Sequence, residues 1–220
     1  MANRTGLPRH SCVVVFRPEA RTERPLAELL REIAPLEEQD LMAEDGTGQV
    51  LVIKAGEDPE EIAEFAEALI GTVEGETGVR LKAGIGNVHG SPEEWPAGYR
   101  EALEALETGE RFRSRSPVRV YAHQMLERLT EQIPAEIRKN MRRQVFGEHT
   151  ERILTPEILE TADSFFEADL NLSVAARQMF VHRNTLIYRL DRIQRETGLD
   201  LRVFRDAVIF RLLMMLPEKE

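Results

Sequence analysis

Residues 171–193 read NLSVAARQMFVHRNTLIYRLDRI, and two helical patterns meet in this run. Asn171 is a good N-cap, and the two alanines inside the first pattern would let a second helix cross closely. Apolar residues then recur at the spacing that would hold the second helix on the first: Leu186, Leu190 and Ile193. Phe180 and Val181 lie between the patterns, where a tight turn is required, and Val181 can fill the space between the helices. The run predicts a helix-turn-helix.

The outward face of this predicted motif is basic. Between residues 171 and 195 the sequence has five arginines and one acid, Asp191, although the whole chain carries a net charge of −10. A basic surface confined to one element of an acidic chain favours a polyanionic partner. The side chains left outside by the buried stripe are His182, Arg183, Asn184, Thr185, Tyr188, Arg189 and Arg192.

These residue types suit the major groove of double-stranded DNA. Arginine can donate two hydrogen bonds to guanine and asparagine can pair with adenine, so Arg183 and Asn184 are predicted to contact base edges, with His182 capping the helix or assisting. Hydroxyl groups, helix N-termini and further arginines hold phosphates. The predicted backbone contacts are Asn171, Ser173, Thr185, Tyr188, Arg189 and Arg192. The alternative is an ordinary helical pair with a solvated basic face.

Upstream of the motif, residues 11–121 alternate between short apolar runs and amphipathic stretches. The order is β-α-β-β-α-β-α-β, which predicts a ferredoxin-like α+β domain with one extra helix and strand. Residues 13–16 and 50–53 are continuously apolar and predict central strands. Residues 44–48, EDGTG, predict a hairpin turn.

Two further strands are predicted nearer an edge of the sheet. Apolar residues alternate with polar residues or glycine around residues 81–85 and 118–121, which suggests one exposed face for each strand. Gly84 and Gly86 could be pictured in a phosphate-binding loop. The third glycine and the Lys-Ser/Thr pair of such a loop are missing, so a strand that needs close backbone approach is favoured.

Beyond residue 121 helical periodicity replaces the strand signals and predicts an all-α segment. We divide the chain into an α+β regulatory domain at 1–121, a helical connector at 122–154 and a helix-turn-helix domain at 155–220. A basic stretch at residues 111–117 leads into the last strand. The predicted helices cover residues 122–132, 135–145, 156–168, 172–179, 183–196 and 203–216.

Composition excludes several classes of protein. The chain has 220 residues, of which 42% are hydrophobic and 31% charged, as expected of a globular protein with real cores. Its longest apolar stretch, 207–216, is interrupted by Arg211 and is too short to cross a bilayer, so no membrane partner is expected. The chain has a single cysteine, Cys12, so it cannot form an internal disulfide, and a reducing cytoplasm is the expected location. Because Cys12 lies beside a predicted central strand, we expect it to be buried as a small hydrophobic residue.

No cofactor and no metal site are expected. Metal ligands on a helix are usually spaced i, i+4, and none of the five histidines is paired in this way with another histidine or with the cysteine. The histidines are His10, His89, His123, His149 and His182.

Residues 155–216 resemble the C-terminal helix-turn-helix domain of PucR/CdaR-type bacterial transcription regulators, most of all in the run VHRNTLIYRLDRI and in TGLDLR at residues 197–202. Residues 84–106 are similar to the degenerate GGDEF-like domain that precedes it in such regulators, through GIGNV, Trp95 and YREA. The resemblance implies a regulator that binds operator DNA and has no enzymatic activity.

Departures from working GGDEF domains support that last point. A diguanylate cyclase needs a metal-binding acid just after the first strand and a Gly-Gly-Asp/Glu-Glu-Phe hairpin. Here Phe16 is followed by Arg17 and Pro18, and the hairpin reads EDGTG. We therefore predict no cyclase activity. Family members usually also carry a sensory domain ahead of the GGDEF-like one, whereas this chain begins about ten residues before its first strand, so the binding site of any small-molecule effector stays open.

The last predicted helix is apolar most of the way round, which predicts burial on two sides. One side should pack on the helix-turn-helix and the other on a second subunit, and a homodimer is expected because one helix-turn-helix usually needs a partner half-site. Alternatively, residues 122–168 cover that side. Two other functions stay open: a nucleotide- or small-molecule-binding signalling domain, and an adaptor whose helix pair binds protein without DNA.

Overall fold

The computed structural model describes residues 7, 8, 10–112, 116–147 and 155–216. Residues 113–115 of the basic connector and His149 therefore lie outside the described residues. The chain divides into two compact units, Met1–Glu127 and Arg128–Glu220, which are described separately. Within the described ranges, no helix is both long enough and apolar enough to cross a membrane.

The first unit is an α+β domain built on one five-stranded sheet in the order β2-β3-β1-β4-β5. All neighbouring strands are antiparallel except β4 and β5, which are parallel. This confirms the predicted order of elements and the ferredoxin-like core with an added helix and strand. The elements are β1 (Ser11–Pro18), α1 (Leu26–Ile33), β2 (Leu41–Glu44), β3 (Val50–Ala55), α2 (Pro59–Thr77), β4 (Leu81–His89), α3 (Trp95–Arg111) and β5 (Val118–Val120).

Helices cover both faces of this sheet. Alternate side chains of β1 divide between the two faces, since Val14 and Phe16 join the core under α1 and α2 while Val13 and Val15 pack against α3. Every residue from Ser11 to Phe16 is buried, and both β1 and β3 are interior strands, as their apolar runs predicted. Cys12 lies in the core, and burial raises the pKa of its thiol to about 12.

The expectation of an exposed face on β4 was wrong. Its residues 83–86 are buried, because α3 lies directly against the glycines of the strand. A Cβ atom added to Gly84 would come within 2.0 Å of the carbonyl oxygen of Ala102, and one on Gly86 within 2.5 Å of that of Gly98. The alternation of glycine with apolar residues therefore reflects close helix-sheet contact, and this confirms the strand interpretation over the phosphate loop. On β5, Arg119 is likewise buried, so this strand also lacks the predicted exposed face.

The second unit is all-α over its described residues, 128–147 and 155–216. Its helices surround one core, in which Phe165, Leu190 and Phe210 are fully buried. The described helices of this half of the chain are α4 (Met125–Glu131), which spans the division between the units, α5 (Ala135–Phe146), α6 (Pro156–Glu167), α7 (Leu172–Gln178), α8 (Arg183–Thr197) and α9 (Phe204–Met215).

Helix α5 belongs to the core of this second unit. The rings of Phe146 and Phe210 meet edge to face with centroids 5.7 Å apart. The buried guanidinium of Arg142 donates hydrogen bonds to the carbonyl oxygens of Leu213 (3.3 Å) and Leu216 (2.6 Å), which lie at the end of α9. These bonds satisfy carbonyls that a helix C-terminus leaves without partners.

Candidate nucleic-acid interface

Helix α7 begins at a side-chain cap. Asn171 Oδ1 accepts hydrogen bonds from the backbone N–H groups of Ser173 (3.0 Å) and Val174 (3.2 Å), so two of the free donors of the first turn are satisfied. Ala175 and Ala176 are buried, and their small side chains allow α7 and α8 to approach closely. This confirms the predicted cap and inner face of the first helix.

The turn between the helices is tight and contains an unusual backbone conformation. Phe180 has a φ angle of +54°, and its N–H donates to the carbonyl of Arg177 at 3.1 Å. The N–H of Val181 donates to Ala176 at 3.0 Å, which closes the end of α7. Val181 packs against the core, as predicted, whereas the side chain of Phe180 is 97% exposed.

Helix α8 presents its first turn to solvent. His182 Nδ1 accepts a hydrogen bond from the backbone N–H of Asn184 at 3.2 Å, so the histidine is the N-cap of the helix. The apolar stripe of Leu186, Leu190 and Ile193 is fully buried and fixes the helix on its neighbours. The four predicted site residues at the start of the helix are all exposed: His182, Arg183, Asn184 and Thr185.

Farther along α8 the arginines are held by an acid. Arg189 Nη2 lies 3.0 Å from a carboxylate oxygen of Glu157, and Arg189 Nη1 donates to the hydroxyl of Thr161 at 3.4 Å. Arg192 Nη1 is 3.8 Å from Glu157, and its Nε donates to Glu196 at 2.9 Å. The hydrogen bond to Glu196 and the negative charge of that carboxylate stabilise the charged form of Arg192, so the pKa of its guanidinium is raised. Both arginines are half-buried, whereas the sequence predicted that they face outward.

These pairs line a small cavity of about 160 Å³ between α6 and α8, together with Thr185 and Tyr188. Glu157 is itself exposed, since its side chain has 50% of its surface accessible. The carboxylate therefore lies at the protein surface, where it forms ion pairs with two guanidinium groups.

The structure brings the predicted site residues onto one motif but distributes them unequally. Asn171 and Ser173 are exposed at the start of α7, and Tyr188 is exposed at mid-α8. None of the ion pairs found in the described ranges involves Arg183, so this guanidinium differs from those of Arg189 and Arg192.

Sequence reasoning missed two residues of this surface. Phe180 was interpreted only as part of the turn, and a positive φ cannot be read from a phenylalanine, which rarely adopts it. Glu157 follows the proline that starts α6 and resembles any acid placed near a helix N-terminus. Glu157 and Arg189 are 32 positions apart, so their contact cannot be predicted from local spacing. The only signal in the sequence is the excess of arginine on α8, which favours an acidic partner from another helix.

The hairpin turn of the first unit is held by the side chain of Asp45. Asp45 Oδ1 accepts from the N–H and hydroxyl of Thr47 (2.8 and 2.7 Å), and Oδ2 accepts from Gln49 Nε2 (2.9 Å) and from the hydroxyl of Tyr99 (3.0 Å). Burial raises the pKa of Asp45, but these hydrogen bonds outweigh it and hold the pKa below the ordinary range. The carboxylate is thus engaged in fixing the turn.

The fold and this surface define a two-domain protein with an α+β domain ahead of a helix-turn-helix domain of the nucleic-acid-binding class. The family model described as the PucR C-terminal helix-turn-helix domain matches residues 158–216, and the model described as a GGDEF-like domain matches residues 4–108. The chain therefore carries a GGDEF-like domain followed by a helix-turn-helix domain of the PucR type, the two domains that these models describe.

Curated relatives agree with this assignment. The chain is 28% identical over 120 residues to the purine catabolism regulatory protein of Bacillus subtilis, covering 54% of this chain and 23% of that protein. It is 26% identical to the carbohydrate diacid regulator of Escherichia coli, over 74% of this chain and 42% of that protein. It is 33% identical to the DNA-binding transcriptional activator AdeR of Bacillus subtilis, over 47% of this chain and 26% of that protein. The chain thus matches less than half the length of each of these three relatives.

Proposed function

We propose that this protein is a transcription regulator that binds operator DNA through its helix-turn-helix. The observation that carries the proposal is the exposed first turn of α8, where His182, Arg183, Asn184 and Thr185 project from a helix anchored by a fully buried stripe. A rigid helix whose first turn offers donors to base edges has the geometry used for major-groove recognition. The names of the relatives, which are regulators and an activator, support the same function.

Within this proposal Arg183 and Asn184 read bases. Their side chains lie at successive positions at the start of α8 and are exposed, so each can reach a base edge. Asn171 and Ser173 at the start of α7, with Thr185 and Tyr188 on α8, contact the phosphate backbone. Phe180 joins this surface because its ring is exposed at the turn that leads into α8, and an apolar ring there can pack on deoxyribose or a thymine methyl group.

Arg189 contacts phosphate only after leaving Glu157, and Arg192, which also keeps a hydrogen bond to Glu196, only after its Nη1 leaves Glu157. Glu157 occupies the position that a phosphate oxygen would take, and both are anionic acceptors of guanidinium N–H groups. DNA binding would release Glu157 into solvent, which is inexpensive because its side chain is half exposed.

We further propose that the protein acts as a homodimer through α9. This helix buries Ala207, Phe210 and Leu213 in its own unit but leaves its N-cap residue Val203 and the helical Phe204 and Val208 exposed by 49%, 75% and 40%. Such an apolar patch on one side of a helix suits a symmetric contact between copies, which would also supply the second half-site reader. Light scattering at micromolar concentration tests this, and a monomer would contradict it.

We propose that the protein is not an enzyme. The carboxylate of the hairpin already accepts hydrogen bonds from five donor groups, the backbone N–H of Gln49 among them, which disfavours a role in holding catalytic metal ions. A protein that binds operator DNA acts where the DNA is, so we propose a cytoplasmic location, and we propose separately that a small-molecule effector controls its activity.

The decisive experiment is selection of genomic fragments by the purified full chain, followed by footprinting. A discrete protected sequence is expected, with an affinity that falls steeply as salt rises, because several phosphate contacts release counterions. Binding that does not depend on salt, or no retained fragment, would favour the adaptor function and refute the proposal.

A further inference from the structure

The first unit contains a cavity that the DNA-binding function does not use. It has a volume of about 320 Å³ and lies at the β5 edge of the sheet. Its walls come from α2, the carboxyl end of α3, β5 and the helical turn Tyr121–Gln124 that precedes α4. This volume falls within the range of small-molecule sites, about 300–1,000 Å³.

One wall carries a buried acceptor without a donor. Gln124 is only 8% exposed, and its Oε1 has no hydrogen-bond partner among the residues that the structure describes. The orientation of the amide is determined by its other end, since Nε2 donates to the carbonyl oxygen of Ala105 at 3.1 Å and a carbonyl can only accept. A buried acceptor without a partner costs free energy, so a ligand that supplies an N–H group would be stabilised here.

A buried cation lies beside it. Arg119 is 5% exposed and its Nη1 donates to the carbonyl oxygen of Val118 at 3.2 Å. Its stem crosses α3 at Gly109, where a Cβ atom would fall 2.1 Å from Arg119 Nε, so only glycine admits the side chain. Burial lowers the pKa of this guanidinium despite the opposing field of Glu110. An arginine stays charged even so, and the cavity is thus lined by a buried cation.

The rim has the opposite charge. Glu60, Glu67 and Glu127 line the cavity, and Glu60 is 3.0 Å from His123. The lining thus combines a buried cation, a buried acceptor and outer carboxylates, an arrangement complementary to a molecule that carries both an ammonium and a carboxylate group.

We propose that this cavity binds a small zwitterion of the amino-acid class. Its carboxylate lies against Arg119, and its ammonium group donates to Gln124 Oε1 and faces the rim acids. The first unit is then a ligand-binding domain whose site lies at the β5 edge of the sheet. The hairpin between β2 and β3 is distant from this site in sequence. The inference stands on the first unit alone and does not depend on DNA binding.

The test titrates the full chain with each proteinogenic amino acid, with propionate and with propylamine, and records Tm by scanning fluorimetry and Kd by calorimetry. A subset of amino acids is expected to bind with one-to-one stoichiometry and to raise Tm by a few degrees. Propionate and propylamine each supply one of the two charged groups, so each should bind at least about tenfold more weakly than the best amino acid.

Gln124→Leu keeps the side-chain volume but removes the acceptor, and it should weaken binding of the best amino acid by about tenfold. Gln39→Leu, a matched change at an exposed loop position, should leave Kd unchanged. Should Gln124→Leu fail to fold, NMR of the wild-type chain decides, because the ligand must shift the side-chain N–H signals of Gln124 and Arg119. Absence of binding by every amino acid, unchanged binding by folded Gln124→Leu, or unshifted signals would overturn the proposal.

Discussion

Glu157 and Arg189 form an ion pair with a separation of 3.0 Å, so the second residue of α6 neutralises a cation in the middle of α8. The same carboxylate lies 3.8 Å from Arg192. A protein proposed to bind DNA therefore carries, on its own surface, an anion that competes for two of the guanidinium groups. The strength of DNA binding should therefore depend on Glu157 as well as on Arg189 and Arg192.

Glu157→Gln should tighten DNA binding. Removing the carboxylate leaves Arg189 and Arg192 without their shared acid, so phosphate no longer has to displace it, and affinity should rise about three- to tenfold at low salt. Binding isotherms across a salt series measure this. Glu160→Gln removes the same charge from the exposed face of the same helix and should have a smaller effect. Equal gains in both variants would mean that only net charge matters.

Arg183→Ala should relax sequence specificity. The side chain is exposed at the start of α8, and loss of a bidentate base contact costs about 1–3 kcal/mol of discrimination at one position. Arg189→Ala should instead weaken all sequences and lower the salt slope by about one phosphate contact. Competition with single-base variants of the selected operator separates the two. An unchanged footprint and unchanged base preference for Arg183→Ala would refute its assignment.

Phe180→Gly should stabilise the fold and weaken DNA binding. Glycine adopts a φ of +54° without steric cost, so the free energy of unfolding should rise by up to about 1 kcal/mol, while the exposed ring is lost from the DNA-facing turn. Urea unfolding and operator titration give the two quantities. Asp169→Gly, at an exposed position with a φ of +50°, is the matched control and should leave affinity unchanged. Full affinity in Phe180→Gly would exclude the ring from the interface.

Asp45→Asn should destabilise the first unit in a pH-dependent way. The pKa of the folded carboxyl lies below its unfolded value, so its stabilisation is complete above about pH 4 and is lost as the pH falls toward the lowered pKa. The variant should lose about 1–2 kcal/mol at pH 7. Urea unfolding at pH 7 and pH 3 should show the difference from wild type shrinking in acid. Asp58→Asn, at the N-cap of α2, should change little because asparagine caps equally well.

Gly84→Ala should prevent proper packing of α3 on the sheet. The new methyl group would lie 2.0 Å from a backbone oxygen, which cannot move without shifting the helix, so a loss of more than about 3 kcal/mol is expected. Thermal unfolding measures it. A Cβ at exposed Gly90 meets nothing within 4 Å, so Gly90→Ala should be tolerated. Wild-type stability of Gly84→Ala would contradict the close approach of α3.

Local pattern was sufficient for the order of elements and for the helix-turn-helix. Hydrophobic periodicity placed the buried stripe of α8, and Asn171 marked the start of α7, because both signals depend on residues within two helical turns of each other. The interior position of β1 followed from an apolar run too long for a strand with an exposed face. The exposure of Arg183 and Asn184 followed from the same periodicity.

Other features depended on residues distant in sequence. The burial of β4 was misjudged because glycine indicates either a turn or a close contact, and only the backbone of α3 decides between them. The pairing of Arg189 with Glu157, the positive φ of Phe180, and the unpartnered Oε1 of Gln124 are likewise invisible in the sequence. The sequence by itself determined which faces are apolar and where the helices begin, since these follow from short-range spacing. The tertiary structure decided which charges and polar atoms acquire partners, because that depends on which elements pack side by side.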